Sequence, residues 1–221
     1  MNKKQTKASS SISTELVFII DRSGSMSGLE SDTIGGVNAV LAENRTVEGE
    51  AFVTTLLFDH QIEYLHDHLD LREVSNLTRK DYYVRGCTAL LDAVGDAVTH
   101  LEKVHGYLPK QLRPQKVIVT IVTDGLENAS RHYSYQQVKQ LIEQKTEQGW
   151  EFIFLGANID VAAEADKLGI LQENAAPYLS DGVGTQVAYE AVACAQRMSR
   201  VSGTTLPSWA DAVREDVAAR G

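Results

Sequence analysis

Two apolar runs in this chain each end abruptly in a polar loop that carries an aspartate. Leu16-Val17-Phe18-Ile19-Ile20 gives way to Asp21-Arg22-Ser23-Gly24-Ser25, and Val117-Ile118-Val119-Thr120-Ile121-Val122 gives way to Thr123-Asp124-Gly125-Leu126-Glu127-Asn128. A short run without polar alternation predicts a strand covered on both faces, the situation of an inner strand in a parallel sheet. Such strands need helices above and below them, so the rest of the chain must supply amphipathic helices between further strands.

It does. Ile34, Val37, Val40 and Leu41 recur at helical spacing, and 51–58 resumes a strand pattern. After the short connection Asp59-His60-Gln61, the alternation over 62–66 suits an antiparallel hairpin partner at the sheet edge. Leu91, Val94, Val98 and Leu101 form one helical stripe behind Gly86-Cys87-Thr88, with Thr88 at the helix start. Beyond the second apolar run, the pattern predicts a helix over 134–147, a strand over 152–155, a helix after Asp160, a short strand near Tyr178 and a helix over 183–198. The expected fold is α/β, doubly wound and Rossmann-like: a mostly parallel six-stranded sheet with one antiparallel edge strand and helices on both faces.

Length and charge narrow the remaining choices. A chain of 221 residues buries about 70% of its unfolded surface as a single domain, without help from disulfides or structural metal. Residues 1–13 read as a flexible tail, 14–200 as the domain, and 201–221 as an extension. In the extension Ser208 is the expected N-cap of a short helix carrying Trp209, Val213 and Val217. That stripe packs back on the body or docks a second subunit. With 21 basic against 30 acidic residues and a net charge of -9, the chain lacks the broad positive field that phosphate backbones require, so nucleic acid is not an expected partner. No stretch approaches the roughly 20 apolar residues of a membrane span. Cys87 and Cys194 stand alone, without a C-x-x-C or Cys/His framework, which suggests free thiols and a cytoplasmic location.

The two aspartates carry the functional argument. In open parallel sheets, ligands sit at the carboxyl ends of the strands where the strand order reverses. Ser23 and Ser25 follow Asp21 at alternate positions, so an extended loop turns all three oxygens one way and Arg22 and Gly24 the other. Asp124 and the Thr88 hydroxyl complete an all-oxygen set: metal ligands Asp21, Ser23, Ser25, Thr88 and Asp124. Oxygen donors suit a hard cation, and two carboxylates balance one divalent charge. The sparse set favours Mg²⁺, with Mn²⁺ or Ca²⁺ as substitutes. An open coordination position can then accept a carboxylate from outside.

These three segments, Asp21-Arg22-Ser23-Gly24-Ser25-Met26, Gly86-Cys87-Thr88-Ala89-Leu90 and Val122-Thr123-Asp124-Gly125, resemble the loops of a von Willebrand factor type A (vWA) domain. They match the D-x-S-x-S, threonine and aspartate elements of that family's metal-ion-dependent adhesion site, in order and over nearly the whole chain. The resemblance implies those five residues as direct or water-mediated ligands, with a partner's Glu or Asp in the vacant position. It implies a metal-dependent protein-binding module of intracellular bacterial type, an adaptor to an AAA+ ATPase or to a stress-resistance system such as tellurium resistance. Cys87 departs from the small residue, often Gly, that relatives carry before the threonine.

Other residues receive plainer readings. Asp92 is expected to serve the helix dipole, with a bond to the site as a lesser role. Arg22 and Glu127 read as solvated loop charges able to influence partner choice, and His60 is placed on the same rim, able to touch a partner. His66 and His68 would share one strand face as exposed edge histidines, and no second metal is expected. The competing function is a metal-dependent phosphatase or other hydrolase. Against it, Ser23 stands where a D-x-D nucleophile motif needs its second acid, and Met26 stands where G-x-S-x-G needs serine. Neither a P-loop nor a G-x-G-x-x-G follows the first strand, so the chain is not read as an enzyme.

Overall fold

The computed structural model describes residues 12–221; most of the expected N-terminal tail therefore lies outside the described residues. Six strands form one sheet: β1 (Thr14–Asp21), β2 (Ala51–Phe58), β3 (Ile62–Asp70), β4 (Lys116–Thr123), β5 (Glu151–Gly156) and β6 (Ala175–Pro177). Their order is β3-β2-β1-β4-β5-β6, and every pairing is parallel except β2 with β3. The order reverses at β1, whose neighbours are β2 and β4, so the two apolar runs of the sequence lie side by side at the centre of the sheet. The antiparallel edge strand is β3, as its alternation predicts.

Helices cover both faces, and the parity of β1 decides which residues meet which helix. Leu16, Phe18 and Ile20 pack with Val37, Val40 and Leu41 of α1 (Glu30–Arg45) and with Ala188, Tyr189 and Val192 of α5 (Gly182–Ser202). Val17 and Ile19 pack on the other face with Val94, Val98 and Leu101 of α2 (Leu90–Tyr107). That face also receives Val138 and Ile142 of α3 (Tyr135–Glu147) and Ala165 and Leu168 of α4 (Val161–Leu168). Glu15 and Asp21 share the parity of Val17 and Ile19, so both carboxylates face the α2 side, one at each end of the strand. Each apolar core side chain of this kind contributes about 1.5–3 kcal/mol by leaving water.

The C-terminal extension folds as the turn Pro207–Ala210 followed by α6 (Asp211–Arg220). Trp209 and Val213 are buried in the α1/α5 core, with the Trp209 indole donating to the Glu173 carbonyl at 3.0 Å. Ser208 is not the helix cap. It lies inside the turn, and Ala210 occupies the cap position without a side-chain bond, because Pro207 begins the turn one residue earlier than the hydroxyl signal suggests. Both cysteines are free and exposed, and among the described residues no helix is long and apolar enough to cross a membrane.

Candidate metal centre

The loop leaving β1 turns at once, and the turn is fixed by its own polar groups. The Ser23 amide donates to Asp21 Oδ1 at 2.6 Å, and Thr123 at the end of β4 donates its hydroxyl to Asp21 Oδ2 at 2.7 Å. Tyr82 reaches in from the β3–α2 connection to donate to the Asp21 carbonyl at 2.6 Å. Three hydroxyls meet beside this carboxylate. Thr88 Oγ1 lies 2.9 Å from Ser23 Oγ, and Ser23 Oγ lies 3.1 Å from Ser25 Oγ. Ser23 and Thr88 are buried while Ser25 is exposed, so the cluster opens to solvent on one side.

Thr88 is free for this position because the helix behind it is capped by another loop. Ala89 occupies the cap of α2 without a side-chain bond. Instead Glu127 accepts from the Leu91 amide at 2.9 Å, Ser130 accepts from the Asp92 amide at 3.0 Å, and Asn128 accepts from the Thr88 amide at 3.0 Å. Asp92 reciprocates, accepting the amides of Arg131, His132 and Tyr133 at 2.8 Å each. The role expected of Glu127 is thereby corrected: it is an N-terminal cap supplied by the β4–α3 loop, because the unpaired amides of a helix N-terminus attract a carboxylate. Asp92 lies in the first turn of α2, where its charge suits the helix dipole, and it also anchors that loop.

Asp124 follows Thr123 in the loop leaving β4, and its buried carboxylate accepts from Asn158 and Ser180. These two residues escaped the sequence reading. Each is a polar residue just past the end of a strand, β5 or β6, on the rim that carries the other loops, and that placement was the available signal. Gly125 follows, and a Cβ there would lie 3.1 Å from Ser25 Oγ and 3.4 Å from Thr88 Oγ1, so the β4 loop presses against the hydroxyl cluster.

The electrostatics show what is missing from this corner. Burial pushes the Asp21 carboxyl above its ordinary range, despite the opposing hydrogen bonds of Thr123, Ser23 and the Asp124 amide. Burial raises the Asp124 carboxyl as well, despite Ser180 and Asn158. Among the described residues no lysine, arginine or histidine pairs with either carboxylate. The adjacent Arg22 faces away, as the alternation of the loop predicts, but it is not a solvated charge. It is fully buried, with Nε 3.2 Å from Asp59 Oδ2 and Nη1 2.7 Å from Glu63. Arg85 donates to the same Asp59 oxygen at 2.6 Å, and the Tyr83 ring lies against both guanidiniums. Arg22 ties β1 to the β2–β3 hairpin.

A hard octahedral cation tests the geometry directly. Bonds of 2.0–2.1 Å place adjacent ligands about 2.9 Å apart, close to the 2.9 and 3.1 Å separations of the three hydroxyls. The donor set is all oxygen, two buried carboxylates lack a cation, and one side of the cluster is open, so the residues fit a divalent metal.

No protein-family model matches the chain, and no curated protein matches it. Solved structures do. Proximal thread matrix protein 1 from the mussel byssus superposes with a TM-score of 0.59 at 14% identity, over 86% of this chain and 47% of that one. The chain has the von Willebrand factor type A fold. A second structure of the mussel protein, with a zinc-occupied adhesion-site motif, gives a TM-score of 0.58 at 15% identity over 86% of this chain and 46% of that one. A von Willebrand factor type A protein from Catenulispora acidiphila gives 0.56 at 14% identity over 84% and 43%. Manganese-loaded TRAP protein of Plasmodium vivax gives 0.52 at 15% over 80% and 72%. This chain thus spans less than half the length of the mussel protein. Within the vWA fold, the site described above lies at the carboxyl ends of β1 and β4, where the strand order reverses.

Proposed function

We propose that the chain is a metal-dependent protein-binding module in which Asp21, Ser23, Ser25, Thr88 and Asp124 hold a divalent cation, Mg²⁺ in the first instance, and a partner's Glu or Asp completes the coordination. The observation that carries this reading is the hydroxyl trio at octahedral spacing beside a buried carboxylate with no cation of its own. Zinc and manganese in the vWA-fold structures of the mussel and Plasmodium proteins support it.

The bound ion would supply an electrophilic position for an incoming carboxylate. The chain's residues do the rest. Thr123 and the Ser23 amide hold the Asp21 carboxylate in place, Asn158 and Ser180 hold that of Asp124, and Glu127 with Asn128 fixes the approach of Thr88. A cleft of about 720 Å³ adjoins Thr88, lined in part by His60, Cys87, Asn128, Arg131 and His132. His60 is half exposed there, its Nδ1 3.0 Å from Asp59 Oδ1, and it supplies a partner contact beside the metal. A cytoplasmic adaptor role is the setting that this reading favours.

The test has two stages. Calorimetry should show one Mg²⁺ site that Asp21→Ala and Thr88→Ala abolish or weaken. Proteins retained from native lysate by the wild-type chain with Mg²⁺ should then be lost with EDTA and with either variant. An identical retained set under all four conditions overturns the reading.

A further inference from the structure

The amino end of β1 carries a second cluster of metal-ligating side chains. Glu15 is fully buried, yet neither lysine nor arginine pairs with it among the described residues; its neighbours are two imidazoles. His68 Nδ1 lies 2.6 Å from Glu15 Oε2, and His105 Nε2 lies 3.5 Å from the same oxygen. The three donor atoms all fall within 4.8 Å of one another. His105 Nε2 is buried without a hydrogen-bond partner.

The surrounding structure orients all three ligands. Thr54 donates to Glu15 Oε1 at 2.7 Å and accepts the His68 amide at 3.1 Å, leaving Oε2 directed at the imidazoles. The Phe52 ring stacks on His68 with centroids 4.4 Å apart, and Trp150 meets the His105 ring at 6.1 Å. The β2–β3 pairing is irregular around Thr55, and His68 takes φ 49°, a left-handed value that a histidine adopts at a cost of about 1–3 kcal/mol. This irregularity overturns the expectation of two exposed histidines on one face. His66 is buried against Thr55, 3.0 Å away, while His68 turns to Glu15.

We propose that Glu15, His68 and His105 form a Zn²⁺ site, distinct from the oxygen site about 20 Å away at the other end of β1. Two imidazole nitrogens and one carboxylate oxygen are a zinc donor set, and tetrahedral bonds of 2.0–2.2 Å space the ligands by about 3.3 Å. The His105–Glu15 separation already meets that spacing, and the His68–Glu15 contact opens by less than about 1 Å to admit the ion. The His68 and His105 side chains are 17% and 12% exposed, which leaves the rings an edge on solvent, and water would supply the fourth ligand. Zinc here joins the edge strand β3, the central strand β1 and the last turn of α2.

Titration of metal-free Asp21→Ala protein with Zn²⁺ and with Co²⁺ tests the site without interference from the oxygen cluster. We expect one equivalent to bind, the Co²⁺ form to show the intense visible bands of a tetrahedral nitrogen–oxygen site, and the thermal midpoint to rise with Zn²⁺. His105→Ala and His68→Ala should each weaken Zn²⁺ by more than about 100-fold, since disturbing even an outer partner of a ligand costs 10–100-fold. Imidazole nitrogen NMR of the unsubstituted chain covers the case in which a variant does not fold: Zn²⁺ should shift two of the six histidines. Absence of a bound equivalent, affinity indifferent to both substitutions, or unshifted imidazoles would each overturn the proposal. Loss of Mg²⁺ binding at Asp21 would leave it standing.

Discussion

Glu15 and Asp21 sit on the same face of the same strand, six residues apart, both fully buried, and their surroundings differ in kind. Glu15 faces imidazoles, and although burial works against it, the adjacent His105 and His68 rings and the Thr54 hydroxyl bring its carboxyl below the ordinary value. Asp21 faces only hydroxyls and amides, and burial pushes it above. The helix α2 serves both ends, since Thr88 precedes its first turn and His105 lies in its last. What differs is the charge that each end brings to its carboxylate. One end holds nitrogen donors that can carry a proton or a borderline metal; the other offers neutral oxygens that only a hard external cation can compensate.

The strongest attack on this contrast is to ask whether Arg22 secretly compensates Asp21. Asp59→Ala strips Arg22 of its buried partner and should cost about 3–5 kcal/mol, read by urea denaturation, while Mg²⁺ affinity changes by less than about tenfold; a larger change in affinity would make Arg22 part of the oxygen site. Next in size is the metal response itself. At 100 times its dissociation constant, Mg²⁺ should stabilise the wild-type chain by about 2.7 kcal/mol. The gain disappears in Asp21→Ala and persists in Glu15→Gln, and a loss in both variants would join the two ends into one unit.

Smaller effects refine the picture. In Gly125→Ala the new methyl meets Ser25 Oγ and Thr88 Oγ1, and Mg²⁺ affinity measured by calorimetry should fall about tenfold with little change in fold stability. Glu151 of β5 provides an intermediate case, a half-buried acid with a lysine of its own. Burial raises its pKa, but Lys116 at 2.7 Å and Thr205 at 2.8 Å outweigh that and hold it below its ordinary 4.5. A depressed acid stabilises the fold above its unfolded value and loses that contribution as pH falls through its folded value. Unfolding free energies of wild type and Glu151→Gln, read by urea denaturation, should therefore differ by about 1 kcal/mol near neutrality and converge as pH drops below about 4.5.

Much of this molecule is legible in its sequence. Apolar runs too long for alternation fixed β1 and β4 as inner strands, the 62–66 alternation marked the edge, and the residues after Ile20 and Val122 named the loops in which polar oxygens gather. These features come from short-range periodicity, which the chain writes along itself. The roles of Glu127 and Arg22 were not legible, because a carboxylate capping a helix 36 residues away or a guanidinium buried under a hairpin leaves no local pattern. Asn158 and Ser180 were visible only as polar residues at strand ends.

Sequence by itself determined the layers, the strand types and the oxygen donors offered at the rim, since burial pattern and residue chemistry are local properties. Only the tertiary structure decided that Glu15 meets His68 and His105. That meeting depends on a pairing irregularity that turns a single histidine across the sheet and on where the last turn of a helix comes to rest, and both are settled by packing between segments distant along the chain.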